Sequence, residues 1–329
     1  MWRVLWWCCG SSVPPLSTGL PVSFTLYDRS GLSIVTPKVF TLYAILNIIW
    51  GSTWLALKVS LMYIPPLFGL GLRFTFSAFI LWPLLLHRRP KINLSATALK
   101  VYFSFGLFSF VGAYSLTYWG AQYIYSSLSA IIWATLPIFV SIAAHFMLPS
   151  EPLTLRRLGG GLMGLAGVGL IVTSNGGEGE INLIGVLAIL FAVALASGPN
   201  VYLKKYHRTV DPLHVNVIAQ SISAAVLIPL SFVLEEPAST VWNNTSILAL
   251  AYLAVFGTVI TWTIYFWLYN HLTVNQISTL GLLPPVLASF LGWIFLGETY
   301  GAGLFAGGAL VLFGVYLIHS LQVPGREGI

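Results

Sequence analysis

Two glutamates in this sequence lie at the borders of long apolar runs, where a carboxylate needs a specific reason to be present. Only 7% of the 329 residues are Asp, Glu, Lys or Arg. Glu151 and Glu298 each end one apolar run and precede the next. A carboxylate just before a helix can accept hydrogen bonds from its free amides and interacts well with the positive end of the helix dipole. The same carboxylates could instead gate a polar pathway, and the sequence leaves both roles open.

Two basic residues, Lys58 and Arg73, lie in or at the end of apolar runs and outside the basic clusters of the loops. A charge in a membrane-spanning segment is unfavourable unless it has a partner, so such a residue is a functional candidate. Lys58 is near the end of its run, where a long side chain can reach the membrane surface. Arg73 lies about two helical turns inside its run, which is too deep for that explanation. From their depths we predict gating or structural pairs of Arg73 with Glu298 and of Gln220 with Glu151.

Polar and aromatic residues recur at helical spacing in several runs and are predicted to face the interior, because polar groups in hydrocarbon need partners or water. The residues predicted to line a solute-binding cavity are Asn47, Trp50, Trp54, Tyr114, Tyr118, Gln122, Ser129, Trp133, Asn200, Trp262, Tyr265 and Gln276. Trp and Tyr also form belts at membrane surfaces, and that alternative stays open for those near the ends of runs.

The predicted wall indicates a class of solute. Aromatic side chains with a few hydroxyls and amides suit an organic solute that has an apolar body and polar ends. No Asp or Glu lies in the middle of an apolar run, so a cationic solute would lack a counter-ion. We therefore expect a neutral or zwitterionic small molecule, such as an amino acid.

Other function classes lack their usual signatures in this sequence. HExxH and GxSxG are absent, and Cys8 and Cys9, the only cysteines, are adjacent without metal-ligand neighbours. We predict no catalytic residue, no metal and no cofactor. The net charge of +6 comes from scattered basic clusters rather than one basic face, so no nucleic-acid partner is expected. An intramembrane enzyme or a receptor is the alternative from another class.

The composition predicts the fold class. The chain is 57% hydrophobic with a mean hydropathy of +0.87, whereas soluble domains carry roughly a quarter charged residues. From Val39 onward it divides into apolar runs of about 20 residues, the length that crosses a bilayer core. We place spans near 39–57, 66–86, 99–119, 126–148, 156–173, 183–203, 213–234, 246–269, 275–296 and 302–321. The prediction is an all-α polytopic membrane protein with ten transmembrane helices.

Charged residues in the loops predict how the chain is oriented. Clusters of Lys and Arg, which favour cytoplasmic loops, alternate with glutamates along the loops. The basic clusters lie at 88–100, 156–157 and 204–208, and the glutamates lie at 178–180 and 235–236. The pattern predicts a multi-pass protein of the cell (inner, cytoplasmic) membrane with both termini in the cytoplasm. Residues 1–38 are predicted to be a disordered polar extension, and residues 322–329 a cytoplasmic tail.

An internal repeat relates the two halves of the chain. The two glutamates are 298 − 151 = 147 residues apart, and the same shift aligns Pro137 with Pro284. Residues 39–174 are echoed by residues 186–321, with five spans in each repeat. Because five is odd, the second repeat is predicted to be inverted in the membrane, and a substrate site is expected near the midplane between the repeats.

Small residues mark the last span of each repeat. Gly160 and Gly164 in the first repeat, and Gly303 and Gly307 in the second, place glycines one helical turn apart. Such spacing lets two helices approach closely. We expect these faces to pack within the fold, and the same faces could mediate a homodimer.

Several motifs resemble those of the EamA-type drug/metabolite transporter family. They are IIWGSTWLALK at 48–58, LGLRF around Arg73, LP with Glu151 fourteen positions after its proline, and LGE at 296–298. In the first repeat Pro149-Ser150-Glu151 stands in place of LGE. The resemblance covers about residues 39–321 and implies a ten-span carrier, often an exporter, of amino acids, metabolites or toxic organic solutes. An exchanger of phosphorylated metabolites is the alternative, but it needs several basic residues, and only Arg73 supplies one.

Overall fold

The structure is a computed structural model, and it describes residues 37–88, 92–148, 153–174, 182–206, 209–268, 279–281 and 283–319. All regular structure in the described part is helical. Its main helices are α1 (Pro37–Leu61), α2 (Pro66–Arg88), α3 (Ala96–Ala121), α4 (Ser126–Met147), α5 (Leu155–Thr173), α6 (Leu183–Tyr206), α7 (Pro212–Leu234), α8 (Asn244–Leu268), α9 (Pro284–Leu296) and α10 (Ala302–His319). The predicted tail and almost all of the predicted extension lie outside the described residues.

The helices have the length and surface of membrane spans. In the described part, α1 to α4 and α6 to α8 are long and apolar enough to cross a membrane, and Leu158–Thr173, Pro284–Leu296 and Ala302–Leu317 are shorter apolar helices. Large hydrophobic side chains point outward, including Phe79, which is 77% exposed, and Phe146, which is 80% exposed. Exposed apolar surface of this extent suits lipid rather than water. The chain is a multi-pass membrane protein.

Local signals explain where several helices begin and end. Asp211 caps α7 by accepting a hydrogen bond from the Leu213 amide at 2.7 Å. Asn243 and Ser246 form a capping box at the start of α8. Gly297 ends α9 with a φ of 64°, a left-handed conformation that glycine adopts without steric cost.

Two helices contain π-helical turns. One lies in α3 at Ser104–Ala113 and the other in α8 at Val255–Ile260. A π turn breaks the regular i to i−4 hydrogen-bond pattern and is often found at functional sites. In α8 the Gly257 carbonyl accepts a hydrogen bond from Arg73 Nη2 at 2.7 Å, so the irregular turn connects α8 to α2.

Glycines bring α5 and α10 into close contact. A methyl group added at Gly307 would lie 2.5 Å from the Gly167 carbonyl oxygen, and one added at Gly314 would lie 2.5 Å from the Gly160 carbonyl oxygen. The glycine faces of these two helices therefore pack against each other within the chain. They do not offer the free surface on which the predicted homodimer depended, and a dimer would need another face.

The loops 62–65, 122–125, 235–243 and 297–301 lie at one end of the bundle, which we call the Glu298 end. Contacts between distant segments hold this end together. The Glu235 carboxylate accepts hydrogen bonds from the amides of Leu67 at 2.9 Å and Phe68 at 3.0 Å, the first turn of α2. In the sequence Glu235 is recognisable only as a loop charge, because its bond to an amide 168 residues away leaves no local pattern.

Candidate solute-binding cavity

A cavity of about 170 Å³ lies within the helix bundle. Side chains from α1, α2, α3, α4, α6, α8 and α9 form its wall. Eight of the twelve residues predicted to line a cavity are on this wall: Trp50, Trp54, Tyr114, Tyr118, Trp133, Asn200, Trp262 and Tyr265. Helical periodicity found them because the cavity follows the polar and aromatic stripes of the helices.

Aromatic rings form most of one side of the cavity. The Trp262 ring is central to this group, with ring centroids 4.9 Å from Phe110, 5.2 Å from Tyr265 and 6.4 Å from Trp50. These are the distances of edge-to-face aromatic packing. The rings hold one another in place, so the wall presents a firm apolar surface.

A smaller number of polar groups interrupt this surface. Trp133 Nε1 donates to Thr117 Oγ1 at 3.1 Å, and Tyr265 donates from its hydroxyl to Asn200 Oδ1 at 2.8 Å. All four residues lie on the cavity wall. Their partners are neutral, so these bonds orient the side chains without adding charge.

Arg73 is the charged residue of the cavity wall, among the residues that the structure describes. It is 5% exposed. Its Nε donates to Thr258 Oγ1 at 2.6 Å, its Nη1 donates to the Tyr118 hydroxyl at 3.0 Å, and its Nη2 donates to the Gly257 carbonyl. The guanidinium also lies 5.3 Å from the centroid of the Tyr114 ring, within cation–π range.

The acceptors around Arg73 are neutral, so its positive charge is hydrogen-bonded but not compensated. No Asp or Glu lies among the described residues of the wall. A buried charge without an ion partner is unfavourable and marks a functional position in a membrane protein. An anionic group that entered the cavity would meet this charge.

The predicted pair of Arg73 with Glu298 does not form. The three nitrogen groups of Arg73 bind α3 and α8, whereas Glu298 binds the start of α4. Glu298 Oε1 accepts from the Ser126 amide at 2.8 Å, and Oε2 accepts from Ser126 Oγ at 2.9 Å. Glu298 therefore caps α4, which agrees with the helix-capping role considered for it.

Tyr300 completes the surroundings of Glu298. Its hydroxyl lies 2.7 Å from Glu298 Oε2 and 3.0 Å from the Ser289 carbonyl oxygen. Burial, and next the hydrogen bond to Glu298, raise the pKa of Tyr300. The hydroxyl thus keeps its proton and remains a donor at neutral pH.

Lys58 does not reach toward the membrane surface, contrary to the sequence-based expectation. Its Nζ donates to the backbone carbonyls of Ala121 at 2.7 Å, Gln122 at 3.2 Å and Ile124 at 2.8 Å. These carbonyls belong to the last residue of α3 and to the loop after it, where a helix has no internal donors for them. Lys58 also interacts electrostatically with Glu298. The two residues hold the α3–α4 connection from its two sides.

The other predicted residues lie elsewhere. Asn47 and Ser129 are buried and bond to their own helices, and Gln122 is exposed at the end of α3. None of these three lines the cavity. Gln220 is buried in α7 and donates to Asn216 Oδ1. Glu151 and Gln276 lie outside the described residues, so the predicted pair of Gln220 with Glu151 is untested.

Gly257 and Thr258 accept hydrogen bonds from Arg73 and were not among the residues predicted to line the cavity. Thr258 lies on the polar stripe of α8, and that periodicity could have selected it. The role of Gly257 depends on its backbone carbonyl, which lies in the π turn and accepts a hydrogen bond from Arg73. No side-chain pattern encodes such a contact.

Comparison with known proteins decides the family. The EamA-like transporter family matches this chain twice, over residues 38–173 and 183–320. The chain belongs to the EamA-like transporter family. The resemblance found in the motifs is thereby confirmed, and transport across a membrane is the general role that the family and its relatives share.

Relatives of the EamA-like protein have transporter names. The uncharacterized transporter YoaV of Bacillus subtilis is 29% identical over 276 residues, which cover 82% of this chain and 93% of that protein. The S-adenosylmethionine/S-adenosylhomocysteine transporter of Chlamydia trachomatis is 27% identical over 294 residues, with 85% and 88% covered. A solved structure titled "Crystal structure of protein" is similar in fold, with a TM-score of 0.62 and 21% identity over 85% of this chain and 96% of that one.

Proposed function

We propose that this EamA-like protein is a secondary transporter that exports an amino acid or a related small metabolite. The observation that carries the proposal is Arg73, whose buried charge faces a cavity walled by aromatic side chains. A solute with one carboxylate and an apolar body would place its carboxylate at Arg73 and its body against the ring of Trp262.

The size of the cavity supports a small solute. Its volume is about 170 Å³, and an apolar cavity of about 150 Å³ is known to hold a benzene ring. A phosphate monoester carries about −1.5 to −2 charges near neutral pH, whereas the described wall supplies Arg73 as its single cation. We therefore place the exchange of phosphorylated metabolites second.

Alternating exposure of the cavity requires two structurally related halves. We propose that these are residues 39–174 and 186–321, each with five transmembrane helices and inverted with respect to the other. The double family match supports this. So do the π turns at Ser104–Ala113 and Val255–Ile260, since a shift of 147 residues moves the end of the first, 113, onto the end of the second, 260.

The direction of the helices is consistent with the inversion. α1 ends at the Glu298 end, whereas α6 begins there, because a methyl group added at Gly185 would lie 3.0 Å from the carbonyl oxygen of Gly120 near the end of α3. We further propose that the protein resides in the cell membrane with both termini in the cytoplasm. The acidic loop that contains Glu235 and Glu236 would then face outward.

Counterflow in proteoliposomes tests the substrate class. Vesicles that contain the purified protein are loaded in turn with L-phenylalanine, L-leucine, L-threonine or glucose 6-phosphate, and uptake of the same radiolabelled compound is followed. We expect counterflow with at least one amino acid and none with the sugar phosphate. Protein-free vesicles serve as the control. Counterflow of glucose 6-phosphate alone would overturn the proposal in favour of the exchanger.

A further inference from the structure

A cluster around Glu298 lies outside the cavity, because none of its residues is on the cavity wall. We define this cluster as Glu298, Tyr300, Ser126 and the Ser289 carbonyl. The Glu298 side chain is 6% exposed, and the groups within hydrogen-bond distance of its carboxyl group are neutral. Among the described residues, the carboxyl group therefore has hydrogen-bonding partners but no ion partner.

The hydrogen atoms available to the cluster allow two arrangements. The Tyr300 hydroxyl has one hydrogen and two acceptors, Glu298 Oε2 at 2.7 Å and the Ser289 carbonyl at 3.0 Å. When Glu298 is ionised, the hydroxyl donates to Oε2. When Oε2 carries a proton, Oε2 donates to the Tyr300 oxygen, and the hydroxyl hydrogen turns to the Ser289 carbonyl. Both arrangements fit the same positions of the heavy atoms.

We propose that Glu298 is the proton-binding site through which this EamA-like protein couples transport to a proton gradient. The inference rests on the proposed transport function and adds its driving ion. One proton binds to Oε2, the charge of the cluster rises by one, and the proton leaves by the reverse step. Tyr300, which is partly exposed, connects the buried carboxyl group to the surface of the Glu298 end.

The charged and titratable groups that face Glu298 come from several elements. Lys58 of α1 contributes a positive charge that acts on Glu298 from a distance, with its ammonium group bonded to carbonyls after α3. Tyr300 donates directly, and Tyr125 packs against Tyr300 with ring centroids 6.3 Å apart. Because Lys58 does not pair directly with the carboxylate, protonation of Glu298 breaks no ion pair.

Hydrogen bonds and α4 connect Glu298 to the cavity wall. Glu298 follows α9, whereas Ser126 is the first residue of α4, so their two hydrogen bonds join the proposed second half to the first. Ala130 and Trp133, one and two turns further along α4, line the cavity. A neutral carboxyl group is a weaker acceptor than a carboxylate, so proton binding loosens the joint that positions this wall.

Infrared difference spectroscopy tests the proton site without any solute. Purified protein in lipid is stepped from alkaline to acidic pH, and the carbonyl stretch of newly protonated carboxyl groups is recorded. Among the bands of all protonated carboxyl groups, we expect one that is absent in Glu298→Gln and shifted in Tyr300→Phe. Glutamine at 298 can donate from its amide to Tyr300 as the protonated acid does, so this variant should fold.

Glu235→Gln is the matched control for the infrared measurement. Glu235 also caps a helix across the bundle at the same end, through the amides of Leu67 and Phe68, but no hydroxyl partner is recorded for it among the described residues. We expect Glu235→Gln to retain the band that Glu298→Gln loses. Identical spectra of the wild-type protein and Glu298→Gln would overturn the proposal.

A transport measurement tests the coupling. Uptake of L-phenylalanine is compared with and without an imposed pH gradient. The ratio of the two rates should exceed about 3 in the wild-type protein and in Glu235→Gln, because half a pH unit of driving force corresponds to about a threefold change. The ratio should fall to about 1 in Glu298→Gln. A wild-type ratio near 1 refutes the coupling. Failure of L-phenylalanine under all conditions weakens the proposed function instead, and the infrared result still decides the proton site.

Discussion

Arg73 shows how a single residue can set the chemistry of the cavity. Its planar guanidinium binds three neutral acceptors in fixed directions, which suits arginine better than lysine because lysine offers a compact ammonium group. The charge is buried and faces aromatic walls. A carboxylate on the solute would exchange part of these neutral contacts for a charged one.

Substitution of Arg73 tests this role at the scale of the residue. Arg73→Lys should raise the amino-acid concentration that half-saturates counterflow about 10-fold, and Arg73→Gln should raise it about 100-fold. The reason is that a hydrogen bond to a charged group contributes about 1.5–3 kcal/mol. Thr258 keeps its bond to the Leu253 carbonyl at 2.8 Å, so the helices should remain folded. Lys100→Gln removes an exposed cation of α3 and is the control; an equal effect of Lys100→Gln and Arg73→Gln would contradict the assignment.

Close packing of α5 and α10 is the clearest property at the scale of elements. Each helix carries glycines at positions where its partner's backbone approaches, as Gly167 faces the Gly307 carbonyl. Membrane helices gain stability from such contacts because lipid provides little hydrophobic driving force between them. The glycine faces of α5 and α10 are therefore buried against each other within the fold.

Two glycines of α5 provide a matched test of this packing. Gly167→Ala places a methyl group 2.5 Å from the Gly307 carbonyl oxygen, whereas Gly169→Ala meets nothing within 4 Å. Gly167→Ala should lower the free energy of unfolding by about 1–3 kcal/mol, the usual effect of overpacking. Gly169→Ala should be neutral or slightly stabilising, because alanine favours the helix. Thermal unfolding in detergent measures both, and equal melting temperatures would show that the interface is looser than described.

The two π turns are a second property of individual helices. They lie in α3 and α8, which both line the cavity, and a carbonyl within one of them accepts a hydrogen bond from Arg73. Neither turn follows from the apolar pattern, since a π turn inserts into a helix without changing its overall hydropathy. Beyond each π turn, the direction in which a side chain points differs by a fraction of a turn from the direction that regular helical periodicity predicts.

At the scale of the whole molecule, the proposed inversion places the loops of the two halves on defined surfaces. Leu94, which is 67% exposed, lies before α3 within the basic cluster of residues 88–100. Ser239 is exposed in the loop between α7 and α8, at the Glu298 end. The two positions should therefore lie on opposite sides of the membrane.

Two-sided cysteine labelling tests the arrangement. Cys8 and Cys9, the only cysteines, are first replaced by serine, and then Leu94→Cys and Ser239→Cys are made singly. A membrane-impermeant maleimide should label Ser239→Cys in intact cells. The same reagent should label Leu94→Cys only after the membrane has been permeabilised. Labelling of both from outside would be incompatible with the inverted halves.

The sequence by itself determined the class of the molecule, its helical runs, its family and eight residues of the cavity wall. These properties depend on hydropathy and periodicity, which are recorded along the chain. The partners of Arg73, Lys58 and Glu298 were decided only by the tertiary structure. Arg73 reaches a carbonyl 184 residues away and Glu298 an amide 172 residues away. Such contacts depend on the rotation and depth of each helix relative to the others, and a shift of one turn, about 5.4 Å, is enough to replace one partner with another.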